Sequence, residues 1–76
     1  MKAIIADIMM ELGRAEEEHP DWPEDMVHKA AIVVEEAGEL LRAALQYTDD
    51  GGSIEDVRTE CIQTAAMCIR FLNNLK

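Results

Sequence analysis

Ile4, Ile5, Ile8, Met9, Leu12 and Ala15 recur at steps of three and four along the start of the chain. That spacing lines one face of a helix and predicts a helix over residues 2–18. HPDWP then interrupts it, because Pro20 and Pro23 cannot both sit inside a helix. Asp21 or Trp22, followed by Pro23, Glu24 and Asp25, makes a helix start with acids in its first turn. A second helix is predicted over 23–48, ending at the breaker TDDGG. Ser53 opens SIED, a capping-box pattern, and a third helix is predicted over 53–74. No stretch shows the period-two alternation of a strand. The pattern predicts a single all-α domain over residues 1–76.

The second helix carries VVEEAGELL, three carboxylates inside an apolar run. With about 100° per residue and Val33 as reference, Met26, Ala30, Ala37, Leu40 and Ala44 lie within about 60° of it. Val34 and Leu41 extend this arc on one side, Ile32 and Ala43 on the other. Glu36 projects among the apolar groups of that second flank, and Glu39 projects beside Ile32. Glu35 joins His28, Arg42 and Gln46 on the polar face. A carboxylate aimed into an apolar arc must be protonated, paired or metal-bound. Lys29, two turns upstream, is one available partner for Glu36.

In the third helix, Ile54, Val57, Cys61, Ala65, Cys68, Leu72 and Leu75 form one stripe. Ile62 and Ile69 widen it on one side; Thr64, Met67 and Phe71 widen it on the other, where Glu60 also falls. If the two flanks meet, Glu36, Glu39 and Glu60 converge and require a cation. Oxygen-only ligands suit Mg²⁺ or Mn²⁺. Asp56 reads instead as the partner of Ser53, and GRAEEEHP as a solvated helix end. The apolar arc spans roughly 220°, more than two neighbours in a three-helix domain cover. A homo-oligomer, dimer or tetramer, that completes a four-helix-bundle-like core is the predicted solution.

Charge narrows the partners. Sixteen acidic against seven basic residues give a formal charge of −9, which disfavours nucleic acid and anionic membranes. A phosphate-bearing substrate would need a metal to offset the repulsion. A 76-residue chain is a marginal domain, burying only about 60% of the surface its unfolded form exposes. With three aromatic residues, Trp22, Tyr47 and Phe71, aliphatic side chains and Met must build the core. Cys61 and Cys68 are too far apart on one helix for a disulfide and read as small buried hydrophobes. The N-terminus lacks a signal-peptide pattern, and no segment approaches the ~20 apolar residues of a membrane span. A cytoplasmic location is expected.

Glu35-Glu36-Ala37-Gly38-Glu39, then twenty residues, then Glu60-Cys61-Ile62-Gln63 resembles the EExxE…ExxD signature of the MazG-like nucleoside triphosphate pyrophosphohydrolases. HPDWPED is similar to the Pro-Trp-Asp element that precedes the family's metal helix. Arg58, two residues before Glu60, is also where the family often has it. The resemblance covers about residues 19–73. It implies a Mg²⁺-dependent enzyme that cleaves nucleoside triphosphates between the α- and β-phosphates, commonly for nucleotide-pool house-cleaning. Glu36, Glu39 and Glu60 would bind metal, and Glu35 would be a ligand or the base that orients water. Trp22 would stack on the base and Lys29 would meet a phosphate. Gln63 stands where the family pattern has Asp and would offer an uncharged amide oxygen as a ligand. A catalytically silent helical bundle that binds nucleotides or a partner is the alternative. An acidic interaction protein, with Glu36 and Glu60 far apart or each paired to a base, is a third arrangement.

Overall fold

Three helices follow one another: α1 (Lys2–Glu18), α2 (Met26–Asp49) and α3 (Ile54–Asn73). The computed structural model describes residues 1–75, and no strand occurs among them. The second helix begins at Met26 rather than near residue 23. Its cap is Asp25, whose extended backbone lets the carboxylate accept from the His28 N–H at 2.8 Å. Pro23 therefore stiffens the linker instead of opening the helix. Ser53 caps α3 in the same way, its Oγ accepting from the Asp56 N–H at 3.0 Å. Between α2 and α3, Gly51 takes φ +73°. A Cβ on Gly52 would come within 3.0 Å of the Gln46 backbone, so both glycines are needed for this tight reversal.

Both outer helices lean on α3 and not on each other. α1 runs parallel to it: Arg58 pairs with Asp7 near one end at 2.6 Å. Near the other end Arg70 donates to the His19 carbonyl at 2.5 Å and to the Asp21 carbonyl at 3.4 Å. α2 runs antiparallel, with the Lys29 ammonium donating to the Asn74 carbonyl at 2.8 Å. The small core joins Leu12 and Ala15 of α1 to Ala66 and Met67 of α3, with Ile8, Trp22, Ile32, Val33 and Ile69 packed around them. Ala66 is 0% exposed, the most deeply buried residue of that cluster. None of the three helices is long and apolar enough to cross a membrane.

The buried faces are rotated from those expected. On α3 the buried residues are Ala66, Met67 and Arg70, opposite the stripe centred on Cys61. Cys61 and Cys68 are exposed free thiols rather than buried hydrophobes. Arg70 must face the linker carbonyls, and the two helices flanking it leave the middle of the apolar stripe outside. On α2 the buried residues are Lys29 and Ala43, and Ile32 and Glu36 are half-buried, while Val34, Leu41 and Leu45 are exposed. The inward direction of α2 therefore passes through Glu36. Lys29 buries its stem and ammonium beside Asn74. The ion pairs among the described residues, Arg14 with Glu11 and Glu18 and Arg58 with Asp7, do not include it.

Arg70 also lies over the Trp22 ring, 4.8 Å from its centroid, so one buried cation fixes the linker by two kinds of contact. Arg70→Ala should destabilise the fold by about 2–3 kcal/mol. Arg70→Lys should restore less than half of that, because an ammonium cannot stack and fork together. Urea unfolding followed by the fluorescence of Trp22, the single tryptophan, measures both.

Candidate metal centre

Glu36 and Glu39 are one helical turn apart on α2, so their side chains lie one above the other. Antiparallel packing carries Glu60 of α3 alongside them. Each of the three offers a carboxylate oxygen, and those atoms lie within 4.8 Å of one another. Glu36 and Glu60 are half-buried and Glu39 is exposed, so the cluster has a closed floor and an open rim. One oxygen of Glu36 and one of Glu60 are buried without any hydrogen-bond partner. A buried acceptor left unpaired costs about 1–3 kcal/mol, and more when charged.

The electrostatics follow from that placement. Burial pushes the Glu36 carboxyl above its ordinary range, and the negative charges of Glu39, Glu11 and Glu35 add to the effect. Arg14 opposes the shift. Glu60 is raised as well, first by burial, then by the negative charges of Glu39, Glu36 and Asp56. Among the described residues no base forms an ion pair with Glu36, Glu39 or Glu60: Lys29 is bonded to Asn74, and Arg14 to Glu11 and Glu18.

A divalent cation fits the same donors. Oxygen ligands held about 2.0–2.1 Å from Mg²⁺ lie about 3–4 Å apart, a spacing that small side-chain rotations reach from the one observed. The two orphaned oxygens are the donors such an ion would satisfy.

Two cavities flank the cluster. Because α1 and α2 do not pack together, a cleft of about 300 Å³ opens between them over α3, reached by Glu11, Arg14, Trp22, Ile32, Glu36 and Gln63. The Trp22 indole N–H is buried without a partner at its edge. A second, polar cavity of about 330 Å³ lies between α2 and α3, bordered by Glu39, Arg42, Gln46, Asp56, Thr59 and Glu60. Glu36 thus faces the first cavity, and Glu39 with Glu60 the second.

The structure brings Glu36, Glu39 and Glu60 together and sets Gln63 and Trp22 on the cleft that Glu36 also lines. Glu35 is exposed and outside the trio, acting on Glu36 only through its charge. Lys29 lies away from the cluster, on a cavity with Trp22, Pro23, Glu24 and Asn74. Arg14, read as part of the solvated helix end GRAEEEHP, and Glu11, not singled out in the sequence, border the site. Their signal was their position beside Leu12 and Ala15 of the apolar stripe. Comparison with protein-family models, with curated proteins and with solved structures finds no match to this chain.

Both raised carboxyls bind protons more tightly folded than unfolded. They favour folding fully below the ordinary glutamate range, and that contribution is lost as pH rises through their folded values. In EDTA, thermal stability measured by circular dichroism should therefore fall between the glutamate range and neutrality. Glu36→Gln should flatten that slope and raise the neutral-pH Tm by a few degrees. Mn²⁺ should raise the Tm of the parent protein at pH 7 and have little effect on the variant.

Proposed function

We propose that the chain is a Mg²⁺-dependent nucleoside triphosphate pyrophosphohydrolase acting on the cytoplasmic nucleotide pool. The observation that carries this reading is the three-carboxylate cluster with two orphaned oxygens, placed between two cavities. A single cluster open on both sides suits a substrate that threads past it, as a nucleoside triphosphate does. The order and spacing of Glu36, Glu39 and Glu60 in the sequence lend support through their resemblance to the MazG-like pattern.

When bound, the metal supplies charge neutralisation of the phosphates and polarisation of the phosphoryl oxygen and of water. Glu36, Glu39 and Glu60 hold it, and the Gln63 amide oxygen is the neutral donor nearest to them in sequence. Glu35, at the exposed edge, is the available base to orient a water. The oxygen of that water would join the α-phosphorus, its proton passing to the Glu35 carboxylate, as the bond to the bridging oxygen breaks and pyrophosphate leaves with the electron pair. Trp22, half-buried on the cleft, is the group that meets the nucleobase. Lys29, already bonded to Asn74, is left out of this set.

Pyrophosphate release from a panel of standard and modified ribo- and deoxyribonucleoside triphosphates should require Mg²⁺. It should fall at least ~100-fold in Glu36→Gln and in Glu60→Gln. Gln63→Asp should tighten Mn²⁺ binding by adding a charged ligand. No release from any member of the panel, with Mn²⁺ still bound, would favour the silent nucleotide-binding bundle, for which the neutral Gln63 is the specific argument.

A second copy of the chain covers the apolar α2–α3 face in this reading. Val34, Leu41, Leu45 and Leu72 are each more than half exposed in the single chain. A groove of about 400 Å³ among Ala30, Val33, Val34, Cys68, Phe71 and Leu72 carries no polar surface. Association there completes a four-helix core and leaves the two cavities beside the cluster open. Sedimentation velocity at micromolar concentration should show a dimer or tetramer, and Val34→Glu with Leu72→Glu should yield monomer.

A further inference from the structure

We propose that the polar cavity between α2 and α3 is the pyrophosphate subsite, with Arg42 as the side chain that binds the departing anion. The inference rests on the pyrophosphohydrolase reading and adds a direction to it: the base lies toward Trp22, and the β- and γ-phosphates lie toward Arg42.

Arg42 is distinguished by what it lacks. Arg14 is held by Glu11 and Glu18, Arg58 by Asp7, and Arg70 by two carbonyls and the Trp22 ring. Among the described residues, Arg42 is the one arginine with neither a hydrogen bond nor an ion pair. Glu39 lies one turn before it on the same helix, a spacing at which such pairs usually form. Glu39 turns its carboxylate to Glu36 and Glu60 instead, with oxygens of all three within 4.8 Å of one another. The guanidinium therefore borders a cavity of about 330 Å³ with all five of its donors uncommitted.

The rest of that cavity agrees. The Thr59 hydroxyl and the Gln46 amide add uncharged donors on the same walls. Asp56, also there, lies in the first turn of α3, where the positive end of the helix dipole offsets its charge. Cleavage places up to four negative charges on pyrophosphate next to three glutamates. Even with a divalent cation between them, the leaving group needs a cation of its own, and a planar guanidinium matches two phosphoryl oxygens at once. The opposite cavity is built otherwise. Its arginines are already bound to glutamates or to backbone carbonyls, and Trp22, Ile32 and Met67 give it the apolar surface a base would use.

The test is titration calorimetry of inorganic pyrophosphate into the full chain at saturating Mg²⁺. Mn²⁺ affinity by electron paramagnetic resonance and thermal unfolding serve as readouts of the metal centre and the fold. Arg42→Ala should weaken pyrophosphate binding about tenfold or more with both readouts unchanged, Arg42→Lys should keep part of the affinity, and Arg14→Ala should match the parent. Undiminished binding in Arg42→Ala, or a loss in Arg14→Ala alone, overturns the assignment. A parent protein that takes up Mn²⁺ but no pyrophosphate overturns it while the metal centre stands. One that takes up neither overturns both.

Discussion

α3 carries the load of the fold, because α1 and α2 each pack on it and leave each other alone. A helix with two neighbours that diverge from it must expose a gap between them, and the cleft beside Glu36 is that gap. The same geometry fixes where α3 faces. Arg70 has to reach the His19 and Asp21 carbonyls across the linker, and a rigid helix cannot turn Arg70 inward without turning Cys61 outward. The cleft, the linker that closes its end and the exposed apolar face are thus three results of one arrangement.

Within that arrangement the glutamates work against the fold. Two unpaired carboxylate oxygens sit in places where water does not reach them, and their neighbours are other carboxylates rather than lysines. Salt bridges on the surface do not compensate, since exposed pairs contribute about 1 kcal/mol or less. Helix positions of this kind are easily filled by Leu or Ala, so the acidic cluster costs the isolated fold stability rather than adding to it. The same reasoning singles out Arg42, a cation left unpaired within reach of many anions.

Much of this was legible in the chain itself. The three helices follow from hydrophobic spacing, from two prolines in the first break and from the glycines in the second. Glu36 and Glu60 could be separated from Glu35 by angle alone, because a helix fixes side-chain direction to within tens of degrees. Less legible was which part of each broad apolar arc turns inward. On α3 the middle of the apolar arc, at Cys61 and Cys68, faces out while its Met67 edge is buried, and on α2 the inward direction is displaced toward Glu36. An arc wider than a contact face does not specify its own centre, and the deciding partners, Arg70 and Lys29, are polar residues whose targets are backbone carbonyls of distant segments.

The sequence by itself determined the all-α class, the approximate helix limits, the net acidity and the short list of glutamates able to meet. Those are properties of spacing and composition, set by local backbone geometry. Only the tertiary structure decided that Glu39 meets Glu60, that α1 brings Glu11 and Arg14 to the rim, that Lys29 is engaged elsewhere and that Arg42 is left without a partner. Each of these depends on the offset between two helices, where a shift of one turn, about 5.4 Å, exchanges one set of neighbours for another.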